Sequence, residues 1–413
     1  MEPALAAVAP IGRFRPETTR GLSYTVAMST QLTRRELGLA GLGAASLAVA
    51  ASAAETGSSY SGALDGFESK VAADTFDTVA WTRQRYTEAP LRMTFQATSQ
   101  PQARRWQERL RPKLAELVGG FPEKRGDLKS QTLELKEYAA YRREKFVFES
   151  RPGLYVLGYL LTPKNASAPH KSVVCLPGHG RGVDDIVGID DKGRDRIHKD
   201  GYQHDFAVQC AEQGLAAVAI EQMAFGCRRD SAATKRGLGT SSCRPAAGAA
   251  LLLGETMVGW RVWDVMRTID WIETRDDLDA QRVGCMGISG GGTITTFGAA
   301  LEPRIKAAFI SGYLNTFRDS VLSLSHCMDN YVPGILNWCE MYDVAGLIAP
   351  RALFVESGDK DNIFPVEASR ESFARVRKVY EVFGKPERAG HEVFAGEHSF
   401  WGKRGIPFLV QNL

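Results

Sequence analysis

The sequence has 413 residues, of which 44% are hydrophobic and 24% are charged, and its formal net charge is +3. A chain of this length and composition can bury a large core, arranged as one large domain or two smaller ones. Because the charge is small and no dense basic stripe occurs, the composition excludes a nucleic-acid-binding protein and favours a neutral or small substrate.

A pair of arginines precedes an apolar segment near the N-terminus. Arg34 and Arg35 stand before a run of small and apolar residues that ends in Ala-Ser-Ala at 51–53, which fits a cleavage site. Residues 31–54 resemble a twin-arginine export signal, and the run is too short to span a bilayer comfortably. We therefore expect a periplasmic or extracellular protein without stable membrane insertion after signal removal. An uncleaved anchor or a disordered tail is the alternative.

The segments after the signal are predicted from their composition and periodicity. Residues 55–75 are polar and small, which indicates a linker. Residues 102–118 have the periodicity of a helix, which Pro112 is expected to interrupt. Residues 130–163 predict two or three antiparallel strands.

Short apolar runs alternate with longer helical segments in the remainder of the chain. The runs lie at residues 171–177, 216–222, 282–289, 305–311, 351–358 and 391–397. This alternation predicts a mostly parallel sheet with helices on both faces. The strongest helix, residues 255–274, carries Trp and Met residues that we expect to pack against the sheet rather than bind a ligand.

The seven cysteines form no recognisable metal-binding pattern. Neither a CxxC pair nor HExxH occurs, so the sequence predicts no metal site and no cofactor. Cys227 and Cys243 flank one loop-like segment and could form a disulfide after export.

The stretch GCMGISGGG at residues 284–292 contains the pattern Gly-x-Ser-x-Gly around Ser289. In a chain with 41 glycines the pattern alone is weak. Its position is more informative, because Ser289 lies where a predicted strand ends and Gly290 leads into a helix. A nucleophile elbow requires this strand–turn–helix geometry and small neighbours, so Ser289 is the candidate nucleophile.

A serine hydroxyl needs a general base and an acid that orients the base. In open α/β sheets these groups lie beyond the carboxyl ends of the strands. His398 follows the last predicted strand and is the candidate base, whereas His391 begins that strand and should lie at the opposite edge. His326 is a weaker candidate that could line the pocket.

The orienting acid is expected after the fifth apolar run. Asp359 and Asp361 both follow that run, while Glu356 is still inside it. We favour Asp361, which has the spacing associated with the hydrolase acid. The chain order is then Ser289, Asp361, His398, as expected for an α/β-hydrolase.

Acyl transfer also needs N–H donors for the developing oxyanion. The N–H of Gly290, directly after the nucleophile, is one candidate. The glycine-rich loop that begins at Pro177 supplies the second, for which we favour His179 over Arg181. A phosphate-binding loop is the alternative interpretation, but the Walker pattern is absent.

Five motifs carry a resemblance to a known superfamily: LPGHGRG, EQMAFGCRRD, GCMGISGGG, IAPRALFVESGDKDNIFP and GEHSF. The chain resembles α/β-hydrolases of the dienelactone-hydrolase/acetyl-xylan-esterase-like group. The resemblance implies an esterase for short acyl esters, with acetylated carbohydrate a common substrate. Pro177-Gly178 stands where related sequences often have His-Gly, which leaves the second oxyanion donor open. Gly290 stands where glucuronoyl esterases typically carry an arginine, which argues against that activity.

The predicted domain organisation has three parts. Residues 1–54 contain the export signal and an upstream segment, residues 55–75 are the linker, and residues 76–413 form an α/β-hydrolase domain with an N-terminal helical and antiparallel extension. Met28 is a more natural start than Met1, because it would give the signal a short n-region.

Two loops are expected to shape the substrate pocket. The segment 221–250 contains Arg228 and Arg229, which could contact a substrate carboxylate or sugar, although an ion-paired or solvated arginine is the commoner case. Tyr331 and Trp338, in a later loop, suit stacking on carbohydrate, with core packing as the alternative.

The sequence therefore predicts an exported serine carboxylesterase that acts on a small-molecule or carbohydrate ester. A peptidase of the prolyl-oligopeptidase type is the nearest alternative, but the segment upstream of the sheet is too short for the propeller that such enzymes usually add. A non-catalytic hydrolase-like binding protein and a structural cell-envelope protein are alternatives from other classes. The oligomeric state stays open.

Overall fold

The computed structural model describes residues 62–67, 69–196, 199 and 201–413. The expected export signal, both candidate start residues and the first part of the expected linker lie outside these residues. None of the helices in the described part of the chain combines the length and the apolarity needed to cross a membrane.

Among the described residues, two α-helices precede the sheet. The first, α1 (Thr78–Thr87), is capped by the Asp77 carboxylate, which accepts two backbone N–H groups of the first turn at 2.8 and 3.3 Å. The second, α2 (Gln100–Leu117), buries one face through residues three and four apart: Ala103, Gln107, Leu110 and Leu114. The expected interruption at Pro112 is wrong, because α2 continues through it. Pro112 and Glu108, whose carbonyl loses its helical N–H donor, are both exposed, so water can satisfy that carbonyl.

Nine strands form one sheet within the described residues. They are β1 (Gln131–Glu137), β2 (Tyr141–Arg151), β3 (Leu154–Pro163), β4 (His170–Leu176), β5 (Ala216–Ile220), β6 (Leu278–Ile288), β7 (Ile305–Ser311), β8 (Ala352–Gly358) and β9 (Ala389–Phe394). Their order is β1-β2-β3-β5-β4-β6-β7-β8-β9. Strands β1, β2, β3 and β5 pair antiparallel, and the pairs from β5 to β9 are parallel. The predicted antiparallel region and mostly parallel sheet are confirmed.

Helices cover both faces of the sheet, as predicted. After β4 they are α3 (Phe206–Glu212), α4 (Ser231–Lys235), α5 (Cys243–Leu252), α6 (Met257–Glu273), α7 (Gly290–Leu301), α8 (Met341–Gly346), α9 (Val366–Val382) and α10 (Gly405–Asn412). Successive residues of a strand point to opposite faces. Val174 and Leu176 of β4 therefore join the core beneath α6 and α7, whereas Val173 and Cys175 join the core beneath α3 and α10.

The aromatic residues of α6 belong to the core. Trp263 and Trp271 are 3% and 2% exposed, and both lie in the cluster that packs against the sheet. The expectation that these side chains pack rather than bind a ligand is confirmed for this pair.

A disulfide between Cys227 and Cys243, which the sequence left open, is absent, since all seven cysteines are free. Cys227 is exposed, whereas Cys243 is buried at the start of α5 with its Sγ 3.4 Å from Asp329 Oδ2. The two thiols therefore face different surroundings, although their residues flank one loop.

We expect Pro112→Ala to raise the free energy of unfolding by about 1–3 kcal/mol, because it restores an N–H donor inside α2. Pro101→Ala is the matched control, since Pro101 lies in the first turn, where no helical hydrogen bond is lost. Urea unfolding of both variants gives the comparison. A stability gain for Pro101→Ala as large as that for Pro112→Ala would contradict this explanation.

Candidate active site

Ser289 stands between β6 and α7 with φ 57° and ψ −120°. A non-glycine residue with positive φ is strained, and such strain persists only where the surroundings impose it. The Ser289 N–H donates to the carbonyl oxygen of Ser311, 3.1 Å away at the end of β7. The strand–turn–helix geometry expected at Ser289 is therefore present.

Close backbone contacts require the glycines on both sides of Ser289. A Cβ on Gly291 would lie 1.9 Å from the carbonyl oxygen of Leu176, the last residue of β4. A Cβ on Gly287 would lie 2.6 Å from the backbone of Gly291. Only glycine permits β4, β6 and α7 to approach so closely, so the Gly-x-Ser-x-Gly pattern follows from the packing of the turn.

Asp361 and His398 meet beyond the carboxyl ends of β8 and β9. His398 Nδ1 lies 2.7 Å from Asp361 Oδ2, while Asp361 Oδ1 accepts two backbone N–H groups of the following turn at 2.9 and 3.0 Å. Asp359 is exposed and instead accepts the N–H of Gly396 at 2.9 Å. The structure thus brings Asp361, and not Asp359, to His398.

The His398 ring lies beside two aromatic side chains. The ring centroids of Tyr202 and Phe364 are each 5.6 Å from that of His398, with interplanar angles of 25° and 27°. A Cβ on Gly312, whose φ is +50°, would lie 3.1 Å from His398 Cε1. His398 Nε2 is buried and has no hydrogen-bond partner among the described residues, so it can accept a proton from a group in the pocket.

Ser289 and His398 line the same pocket, which has a volume of about 380 Å³. His179, Tyr202 and His326 also line it, so His326 lies where a pocket-lining residue was expected. The volume is at the small end of the range for small-molecule sites. Two cavities of similar size, 380 and 360 Å³, have no histidine among their described lining residues. The pocket at Ser289 is therefore the candidate active site.

Two backbone N–H groups beside Ser289 suit an oxyanion hole. Within the described residues the N–H of His179 donates to no protein atom, and Gly290 begins α7, where helical N–H groups lack a carbonyl partner. The alternative donor, the Arg181 N–H, already donates to Asp185 Oδ2 at 2.8 Å. The structure therefore favours His179 over Arg181 for this position.

The profile of the Abhydrolase family matches residues 84–395. The chain belongs to this family. A curated relative, the putative hydrolase YtaP of Bacillus subtilis (strain 168), is 24% identical over 279 residues, which make up 65% of this chain and 86% of YtaP. This Abhydrolase membership confirms the predicted hydrolase class.

Solved structures of similar fold include two esterases by name. A putative acetyl xylan esterase from Bacteroides fragilis NCTC 9343 has a TM-score of 0.66 and 20% identity, covering 77% of this chain and 82% of its own. A glucuronoyl esterase from Solibacter usitatus has a TM-score of 0.58 and 15% identity. The match covers 78% of this chain and 97% of that esterase. At these identities they establish the fold alone, so the predicted α/β-hydrolase fold is confirmed.

The structure does not bring the three expected substrate residues to this Abhydrolase pocket. The Arg228 side chain is only 6% exposed, and its Nη1 lies 2.6 Å from Asp264 Oδ2, as a charge removed from water requires. Tyr331 lines a separate cavity of 130 Å³. The Trp338 ring lies 4.5 Å from Lys113 Nζ, on the side of α2. Arg228 is thus the ion-paired arginine given as the commoner case, and none of the three residues lines the pocket at Ser289.

Other side chains around the pocket were not predicted from the sequence. The Tyr202 hydroxyl donates to the His179 carbonyl oxygen at 2.6 Å. Cys243, Cys327 and Asp329 surround the His179 ring. Burial alone would lower the pKa of His179, but Asp329 and Cys243 outweigh burial and raise it. These residues come from separate segments, so no short motif could have revealed them.

We expect Gly291→Ala to lower the free energy of unfolding by about 3 kcal/mol or more, because its Cβ would force β4 and α7 apart. Gly298→Ala on the same helix is the control, since its Cβ would make an ordinary contact 3.7 Å from Val265 Cγ1. That control should be neutral or up to about 1 kcal/mol more stable than wild type. Equal unfolding midpoints in urea for the two variants would contradict the packing explanation.

Proposed function

We propose that this Abhydrolase is a serine carboxylesterase for short-chain acyl esters. His398, oriented by Asp361, removes the proton of Ser289, and Ser289 Oγ attacks the ester carbonyl carbon. The N–H groups of His179 and Gly290 stabilise the oxyanion of the tetrahedral intermediate. Protonation by His398 releases the alcohol, and water activated by His398 then hydrolyses the acyl-enzyme.

One observation carries this proposal. The strained backbone of Ser289 places the residue in a pocket that also contains the unpartnered Nε2 of His398, while Asp361 holds the other ring nitrogen. A histidine that can accept a proton beside a serine, and whose tautomer is fixed by a carboxylate, is the arrangement that makes a hydroxyl nucleophilic. A binding protein without catalysis would gain nothing from the strain at Ser289.

The pocket favours a small, uncharged ester. Its volume of about 380 Å³ suits a short acyl group, and no Lys or Arg is among its described lining residues. Acetylated carbohydrate fits these properties, and the names of the similar structures, an acetyl xylan esterase and a glucuronoyl esterase, support a carbohydrate ester. Gly290, where glucuronoyl esterases typically carry arginine, favours the acetyl ester of the two.

The twin-arginine-like segment supports export as part of the same proposal. Residues 31–54 would direct the protein to the periplasm or the exterior, where polymeric carbohydrate esters are accessible. Residues 76–413 would then act as the catalytic domain.

We expect Ser289→Ala to lower kcat/KM for p-nitrophenyl acetate by about 10⁴-fold or more, because no other group supplies the nucleophile. Ser325→Ala is the control, since Ser325 lines the same pocket and its loss should change kcat/KM by less than about threefold. Acetate, butyrate and octanoate esters should be hydrolysed in that order of preference. Ser289→Ala with wild-type activity would contradict the proposal, and preference for an aminoacyl anilide would favour the peptidase.

Asp361→Asn and Asp359→Asn form a second matched pair. Asp361→Asn should lower kcat by about 10³-fold to 10⁴-fold, because the amide no longer fixes the His398 tautomer or stabilises the imidazolium. Asp359→Asn should change kcat by less than about threefold, since among the described residues the Asp359 carboxylate accepts a hydrogen bond only from the Gly396 N–H. Stopped-flow or steady-state p-nitrophenol release measures both variants. A larger loss in Asp359→Asn would assign the acid to the other carboxylate.

A further inference from the structure

Four side chains that can bind metal converge beside the pocket. His179 comes from the loop after β4, Cys243 from the start of α5, and Cys327 and Asp329 from the loop after β7. One ligand atom from each lies within 4.8 Å of all the others. This group is named the His179 cluster.

Four distances within the cluster lie close to those of a tetrahedral zinc site. A zinc ion with bonds of about 2.0–2.3 Å separates its ligand atoms by about 3.3–3.8 Å. His179 Nε2 lies 3.1 Å from Cys327 Sγ, 3.7 Å from Cys243 Sγ and 3.4 Å from Asp329 Oδ2. Cys243 Sγ lies 3.4 Å from Asp329 Oδ2. Small side-chain shifts would complete the tetrahedron.

We propose that the His179 cluster binds one zinc ion through His179 Nε2, Cys243 Sγ, Cys327 Sγ and Asp329 Oδ2. Two thiolates, an imidazole and a carboxylate are ligands that zinc accepts, and the thiolates disfavour magnesium and calcium. All four positions are filled by protein, so the ion is structural and leaves no site for an activated water. No short motif indicates this site, because its ligands span about 150 residues of the chain.

Neighbouring groups support ligands in these positions. Arg261, 1% exposed, donates through Nη1 to Asp329 Oδ2 at 2.5 Å and through Nη2 to Cys243 Sγ at 3.2 Å. Asn330 Nδ2 donates to Asp329 Oδ1 at 2.9 Å. Hydrogen bonds of this kind orient metal ligands. Two thiolates and one carboxylate against one guanidinium leave two negative charges, which a divalent ion neutralises.

The ion would fix the loops that form the oxyanion side of the pocket. The His179 ring lies against Gly290, where a Cβ would be 3.3 Å from His179 Nδ1. Asn330 also accepts a hydrogen bond from Thr293 of α7 at 2.6 Å. Binding Nε2 to zinc would therefore hold the His179 backbone beside the first turn of α7. His179 is in this respect a positioning residue.

Cobalt titration of the reduced full-length chain tests the proposal. The chain is purified without chelators, reduced with a phosphine, freed of metal and titrated anaerobically with Co²⁺, then with Zn²⁺. We expect a thiolate-to-cobalt charge-transfer band and tetrahedral d–d bands that saturate at about one equivalent and disappear when Zn²⁺ is added. Zinc should also raise the Tm.

Cysteine variants locate the site. Cys243→Ser and Cys327→Ser should each lose the charge-transfer intensity or weaken zinc binding by about tenfold or more, while Cys227→Ser, at an exposed cysteine outside the cluster, should behave as wild type. Circular dichroism verifies that each variant is folded. A folded, reduced wild-type chain without the cobalt bands overturns the proposal. So does a Cys243–Cys327 disulfide that persists in the reduced preparation, detected by peptide mass spectrometry.

Discussion

The carbonyl oxygen of Leu176 lies where a side chain at residue 291 would begin, and this close approach of two backbones determines the position of Ser289. Because α7 starts directly against the end of β4, the chain must reverse within one residue, and Ser289 takes the positive φ. The strain is sustained by the sheet on both sides of β6. The two proposed oxyanion donors also depend on this turn, since Gly290 belongs to it and the His179 ring lies against Gly290.

The proposed catalysis also requires a histidine with one ring nitrogen hydrogen-bonded to a carboxylate and the other able to accept a proton. Asp361 is buried and already accepts two backbone N–H groups, so its remaining oxygen is directed at His398 without further reorganisation. Tyr202 contacts both sides of the pocket, because its ring lies beside His398 and its hydroxyl donates a hydrogen bond to the carbonyl oxygen of His179. The proposed base and the proposed oxyanion loop are thus held by one side chain.

The fold and the site were predictable from sequence to different degrees. The parallel strands β4 to β8 were predictable because strands buried on both faces are largely apolar, whereas β9 is only partly buried. The spacing associated with the hydrolase acid distinguished Asp361 from Asp359. The positions of Arg228 and Trp338 could not be predicted. Arg228 pairs with Asp264 of α6, and Trp338 contacts Lys113 of α2, so both contacts join segments that only the folded chain brings together. The predicted interruption of α2 at Pro112 was wrong because the sequence does not reveal that the Glu108 carbonyl, which loses its N–H donor, is exposed to water.

Reaction with a fluorophosphonate, followed by peptide mass spectrometry, tests the central claim most directly, because the reagent phosphonylates an activated serine and reports which one. The elbow and the His398–Asp361 pair predict one adduct per chain, on the peptide that contains Ser289. Absence of an adduct from the folded chain, or an adduct on another serine, would contradict the assignment of Ser289 as the nucleophile.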